Sequence, residues 1–348
     1  MVEIWQCIKK MTNNPTTTII YFEEFGQHGA PSITVCAYSD HLGTGTSYRR
    51  KMLARHGLTL HDYAREGIWW SNMSGVTPEQ VYQDITWALE DLVDRVEYTF
   101  KETRFTLSAR NSSWKNLWTV TNRKWEGRCF TFNPTPEMSQ KGLLDIHIIS
   151  KFQFDLEISF HEENQSTDKE LDGISFRAMY RQYYILEVPV DIIINRDTAN
   201  IPCAQETENF DKKRNKIAVD KMIADLGCVV PFIERNETNE KICTSKNLSK
   251  TAVEIFEATG KYYDLFNWSQ VPQPCQQIHV EPRKVFESPE WDNQTWINAK
   301  FLKTSKVTQQ IPSYSFTSFY AEVGGFVGLL LGVSLHQVSR ILDFIPYI

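Results

Sequence analysis

Residues 323–335 read Val-Gly-Gly-Phe-Val-Gly-Leu-Leu-Leu-Gly-Val-Ser-Leu, apolar throughout except Ser334. Extended back to Thr317, the stretch carries a single charge, Glu322. An apolar run of this length suits a buried helix, whereas about 20 residues suit a membrane span, so hydropathy alone leaves both open. The glycines decide. Gly324, Gly328 and Gly332 recur every four residues and line one helical face, the small-xxx-small pattern that lets membrane helices approach closely. In water each would cost a helix about 1 kcal/mol relative to Ala, whereas a helix in lipid must bond its backbone internally in any case. The sequence therefore divides into residues 1–313 outside the membrane and a helix over 314–348 within it.

The rest of the chain is consistent with a folded outer part. The whole chain has 348 residues, 41% apolar and 23% charged, enough for about two domains or one large one and unlike a disordered, collagenous or many-span protein. The net charge is −6 and no basic run occurs, which argues against a nucleic-acid partner and is compatible with a cation as cargo. Seven Asn-x-Ser/Thr triplets, at Asn72, Asn111, Asn164, Asn236, Asn247, Asn267 and Asn293, exceed the roughly three that chance would supply. All precede residue 300, which places that part in a lumen or outside the cell, where thiols oxidise and six of the seven cysteines could pair. Residues 1–11 have no apolar run and no cleavage site of a signal peptide.

Local patterns predict mixed α and β structure. Thr77-Pro78-Glu79-Gln80 starts a helix by its cap and first-turn proline, with Val81, Ile85, Leu89, Leu92 and Val96 as its apolar stripe. Further helices are predicted at about 215–226, closed by Gly227, and at about 249–259. Residues 152–160 alternate apolar and polar, as a half-buried strand does, and 183–195 form another strand in which Pro189 marks an edge or bulge.

Enzymatic motifs are not found. His161-Glu162-Glu163 lacks a second His four residues after the first, and Gly43-Thr44-Gly45-Thr46-Ser47 lacks the Lys of a phosphate cradle. The eight His residues never fall in ligand spacing, so no metal or cofactor is expected. If several copies met at Gly332-Val333-Ser334, carbonyls and the Ser hydroxyl could surround an ion and replace its water. Glu322 lies ten residues earlier, about 15 Å along an ideal helix, where a ring of carboxylates would attract cations.

With these residues in view, the chain resembles the degenerin/epithelial sodium channel family. Asn14-Pro15-Thr16-Thr17-Thr18 and Pro31-Ser32-Ile33-Thr34-Val35-Cys36 are similar to the family's segment after its first membrane helix. Gly127-Arg128-Cys129-Phe130-Thr131-Phe132-Asn133 is similar to its Gly-Lys-Cys-Tyr-Thr-Phe-Asn run. Leu226-Gly227-Cys228-Val229-Val230-Pro231-Phe232, Ile242-Cys243-Thr244 and Pro274-Cys275 resemble its cysteine-rich thumb, and Glu322 through Ser334 its second membrane helix.

That resemblance implies an α+β ectodomain with a β-rich palm and helical finger and thumb, one C-terminal transmembrane helix here, and a homo- or hetero-trimer with related subunits in the plasma membrane. It implies amiloride-sensitive Na+ transport, with Na+ only as the permeant ion. Gly332, Val333 and Ser334 would form the filter, Ala321, Glu322 and Gly325 the gate and mouth, and Arg340 and Asp343 the inner pore. Cys36 would pair with Cys129, Cys203 with Cys275 and Cys228 with Cys243, leaving Cys7. The sequence departs from the family in lacking its first membrane helix and His-Gly motif, which reads as truncation. It also places Arg340 where the family generally has Glu, at an insertion cost of about 2.5–3.5 kcal/mol in mid-membrane, with Asp343 three residues on to offset it. A second reading is therefore a non-conducting, glycosylated receptor or regulatory subunit descended from such channels.

Overall fold

The structure is a computed structural model. It describes residues 2–12, 15–38 without 28, 86–100, 103–108, 116–123, 127–135, 145–162, 175–198, 202–204 and 274–331, with isolated positions at 54–55, 138 and within 216–228. Over these the chain is a β-rich α+β protein built from three sheets.

The four-stranded sheet runs β1 (Thr16–Glu24), β15 (Thr304–Pro312), β11 (Val190–Ile194), β12 (Gln276–Val280). The six-stranded sheet runs β13 (Arg283–Pro289), β10 (Gln182–Val188), β14 (Thr295–Phe301), β7 (Asp145–Ser150), β3 (Arg95–Phe100), β4 (Thr103–Ser108). The five-stranded sheet runs β5 (Trp118–Arg123), β6 (Gly127–Phe132), β2 (Ser32–Ala37), β8 (Leu156–His161), β9 (Ser175–Ala178). Ile33, Val35, Phe130, Phe132, Ile158, Phe160, Ile146, Ile148, Leu186 and Ile297 are buried in one apolar core.

Two ribs carry the chain between sheets. Pro189 has no N–H for a ladder, and it ends β10 and starts β11, so the predicted strand over 183–195 is two strands in different sheets. β14 and β15 make the same passage across Leu302 and Lys303. Because β10 pairs parallel with β14, and β11 with β15, the two ribs run side by side from the six-stranded sheet to the four-stranded one.

Other expectations need correction. The helix predicted from Thr77 does not reach Val96: a single helical turn, α2 (Leu89–Leu92), is followed by strand β3. Arg95-Val-Glu-Tyr-Thr-Phe alternates with period two and pairs on both sides, with β4 and β7, and this pairing overrides the helical spacing. The start of that helix lies outside the described residues. The strand expected from Phe152 begins at Leu156, and Phe152 and Phe154 turn instead into an aromatic cluster on Trp87, with centroids 4.8 and 6.1 Å from it. β8 is buried on both faces rather than half-buried. Near Gly227, positions 216, 217, 220, 223 and 224 are helical. Gly227 has φ +68 and its N–H donates to the Ile223 carbonyl at 2.7 Å, a left-handed cap that glycine adopts without strain. The helix predicted over 249–259 lies outside the described residues.

Two disulfides join the pairs that the resemblance implied, Cys36–Cys129 and Cys203–Cys275. Cys228 is also disulfide-bonded; Cys243 lies outside the described residues. Cys7 is a buried free thiol.

Candidate functional site

Helix α1 (Val2–Thr12) and helix α3 (Phe316–Leu331) leave the same end of the four-stranded sheet. They do so because the strands attached to them pair with each other along their full length, from Thr16↔Pro312 to Glu24↔Thr304. Both ends of this ribbon are tied. Ser313 N–H donates to the Pro15 carbonyl at 2.8 Å beside the helices, and Phe25 N–H donates to the Lys303 carbonyl at 2.9 Å at the far end. The Phe25 and Phe301 rings stack beside that far bond, 5.0 Å apart. One helix enters the ribbon and the other leaves it, so they lie antiparallel and in contact.

Short sequence features set each helix. In α1, Ile4, Cys7, Ile8 and Met11 follow helical spacing, and Lys9 and Lys10 sit in the last turn, where cations favour the helix dipole. α3 starts from Ser315, whose Oγ accepts the Ser318 N–H at 3.1 Å, a serine N-cap.

Between the helices lies a polar cluster. Lys10 Nζ is 2.7 Å from Glu322 Oε1, and Tyr314 OH donates to Glu322 Oε2 at 2.5 Å. The Lys10 ammonium stands 5.7 Å from the Tyr314 ring centroid. Cys7, one turn before Lys10 and 1% exposed, borders Tyr314 and Glu322. Both carboxylate oxygens of Glu322 are thus held within one chain, one by a cation on the opposite helix and one by Tyr314, two residues before α3. This links α1 to α3 and balances the charge of Glu322 where the helices meet.

Of the site residues expected from sequence, Glu322 is in this cluster and Ala321 is exposed on α3. Gly324 and Gly325 would meet nothing within 4 Å if a Cβ were added, so these two positions are open in the single chain. Gly332, Val333, Ser334, Arg340 and Asp343 lie outside the described residues, as do Asn72, Asn111, Asn164, Asn236, Asn247 and Asn267. Lys10, Tyr314 and Cys7 were not found from sequence. Lys10 and Glu322 are 312 positions apart, and only the spacing of Cys7 with Ile4 and Ile8 hints at a packed α1.

Apolar side chains are exposed around this junction: Trp5 and Ile8 on α1, and Phe316, Tyr320, Val327 and Leu329 on α3, with Leu329 80% exposed. Among the described residues no helix is long and apolar enough to cross a membrane. The 16 described residues of α3 rise about 24 Å at 1.5 Å per residue. Among the described residues no group of His, Cys, Asp and Glu could hold a metal ion.

No family model matches the chain, and no curated protein matches it. Among solved structures, a cryo-EM structure of a proton-activated chloride channel matches at 7% identity and a TM-score of 0.28, covering 94% of this chain and 87% of that chain.

Proposed function

We propose that the chain is a subunit of a membrane ion channel, with the sheets outside the membrane and the helices at their base entering it. One observation carries this reading: α1 and α3, at opposite ends of the described chain, leave a single tied β-ribbon side by side, with large apolar side chains exposed on both. A helix pair that exposes Trp5, Phe316, Tyr320 and Leu329 needs lipid or neighbouring subunits to cover it. The open glycines of α3 suit close approach of a like helix. Two disulfides fit an oxidising exterior.

The finer reading follows the family resemblance. Three subunits, identical or related, surround a pore; Gly332, Val333 and Ser334 form the constriction; Ala321, Glu322 and Gly325 lie at its mouth, and Arg340 and Asp343 on its inner side. Na+ is the permeant ion, and the protein works at the plasma membrane. The continuous rib β14–β15–α3 offers a direct route from the six-stranded sheet to the helix.

The Lys10–Glu322 pair favours a second reading, a non-conducting receptor or regulatory subunit. A carboxylate already balanced by an ammonium contributes little field to a cation pathway. Expression in oocytes, alone and with related subunits, separates the two. The channel reading expects amiloride-sensitive current whose reversal potential follows the Na+ gradient. Protein labelled at the surface without current supports the second reading, and a reversal potential that follows Cl− overturns the choice of ion.

A further inference from the structure

Trp291 is the most exposed of the described large apolar side chains, 91% accessible, and it stands two residues before Asn293, the one predicted glycan acceptor among the described residues. Both belong to the connection between β13 and β14, whose two strands flank β10 rather than each other. The connection must therefore cross the end of β10, and it is pinned there. Glu290 N–H donates to the Arg181 carbonyl at 2.8 Å, and Arg181 N–H donates to Thr295 Oγ1 at 3.2 Å. Thr295 is fully buried. Trp291 N–H is held by Glu290 Oε1 at 3.1 Å. Asn293 sits at φ +54, the left-handed region that asparagine tolerates better than most residues, and it is exposed.

We infer that Trp291 is the resting surface for the first N-acetylglucosamine carried by Asn293, and that sugar and indole together form a built element of this connection. The inference rests on the extracellular placement proposed above. The sugar is joined by a bond from Asn293 Nδ2 to its C1; the amide loses one proton, and the lipid diphosphate of the donor oligosaccharide leaves. A pyranose ring presents a face of C–H groups, and an indole offers a broad apolar body to cover. A sugar tethered two residues away is present at high effective concentration and needs no recruitment. An unpartnered protein surface would have to leave this indole in water, whereas the acceptor triplet places its cover beside it. The pinned ends of the connection limit the freedom that stacking would otherwise have to remove.

The test uses the whole protein produced in a eukaryotic secretory host, as wild type, Trp291→Ala and Trp291→Phe. Exposure of the indole makes folding of these variants safe. Mass spectrometry reads occupancy at each acceptor. Samples trimmed to single N-acetylglucosamines are compared with samples fully deglycosylated by an amidase, by thermal melting and by oxidative footprinting of Trp291. The expected result is an occupied Asn293, Trp291 protected at least threefold from oxidation while the single sugar remains, and a fall in Tm of about 2 °C on its removal. The fall is read as the excess over the Trp291→Ala background, where the other acceptors contribute equally; that excess persists in Trp291→Phe. An unoccupied Asn293 with other acceptors filled overturns this inference alone, and no acceptor filled overturns the extracellular reading with it. Equal oxidation with and without the sugar, or equal Tm shifts in wild type and Trp291→Ala, overturns the stacking.

Discussion

Replacing Cys203 and Cys275 together by Ala opens a loop that the native bridge closes across 72 positions. In the chain-entropy account a loop of that length removes about 15 cal/mol/K from the unfolded ensemble, or about 4 kcal/mol at 25 °C. With about 2.1 cal/mol/K of unfolding entropy per residue over the whole chain, a cooperative transition then falls by about 6 °C. The bridge Cys36–Cys129 spans 93 positions, and the logarithm makes its loop contribution larger by only about 0.2 kcal/mol. Any greater difference between the two double variants has to come from the folded state. Cys36 and Cys129 are fully buried between the central strands of the five-stranded sheet, whereas Cys203 and Cys275 keep 8–9% of their surface. Cys36→Ala/Cys129→Ala therefore also leaves a cavity, and its Tm falls further than that of Cys203→Ala/Cys275→Ala. Non-reducing thermal melts of the purified protein give both numbers. A fall below 1 °C for the Cys203–Cys275 pair, or the reverse order of the two variants, refutes the reasoning.

Three further outcomes follow from the described contacts. Lys10→Glu sets two carboxylates against each other and Glu322→Lys two ammonium groups, so each reduces surface delivery or current at least fivefold. The exchange Lys10→Glu/Glu322→Lys restores at least half, and a double variant as poor as the worse single would remove the pair from the account. Stability falls in acid in two windows. Burial, with Arg104 nearby, holds the His147 imidazole below its ordinary value near 6.5 against the opposing pull of Asp145 and Glu97. The unfolded chain therefore takes up this proton first, and stability drops as pH falls from about 6.5. Burial pulls the Glu97 carboxyl upward, but Arg95 and Arg104 outweigh it and leave it below its ordinary value near 4.5. Its contribution is complete above that value and is lost as pH falls through the lower one. Tm measured against pH should show both steps, and His147→Gln should remove the upper one; an unchanged profile contradicts this. Ile297→Ala, at a 1% exposed position in β14, costs about 2–5 kcal/mol. Val285→Ala, 64% exposed on edge strand β13, stays within about 0.5 kcal/mol, and chemical denaturation compares them.

What sequence could convey depended on how far apart the interacting residues are. The Gly227 cap and the break at Pro189 are local chemistry and left local marks, although a proline that ends one strand and begins the next in another sheet looks, in one dimension, like a bulge. Val96 and Phe152 depart from the sequence pattern because helical spacing and alternation are each compatible with two structures until partner strands choose. The five-stranded sheet shows the limit of alternation. Thr34 bonds Thr131 at 2.6 Å and His161 at 2.7 Å, and Ser159 and Glu157 are buried on the same face, so a polar period there does not mean water. The disulfide partners came from family likeness. The meeting of Lys10, Tyr314 and Glu322 depends on β1 pairing with β15 across nearly the whole chain, which no local pattern encodes.

The central claim is that α1 and α3 stand together in a membrane beside an ion pathway. Cysteine substitutions along 316–331 in a Cys7→Ala background, challenged with a membrane-impermeant thiol reagent during current recording, test it most directly. The account predicts that one helical face, recurring every three to four positions, changes the current on modification while the Leu329 face stays unreactive. Uniform labelling around the helix in intact cells, or labelling that never alters a current, contradicts it.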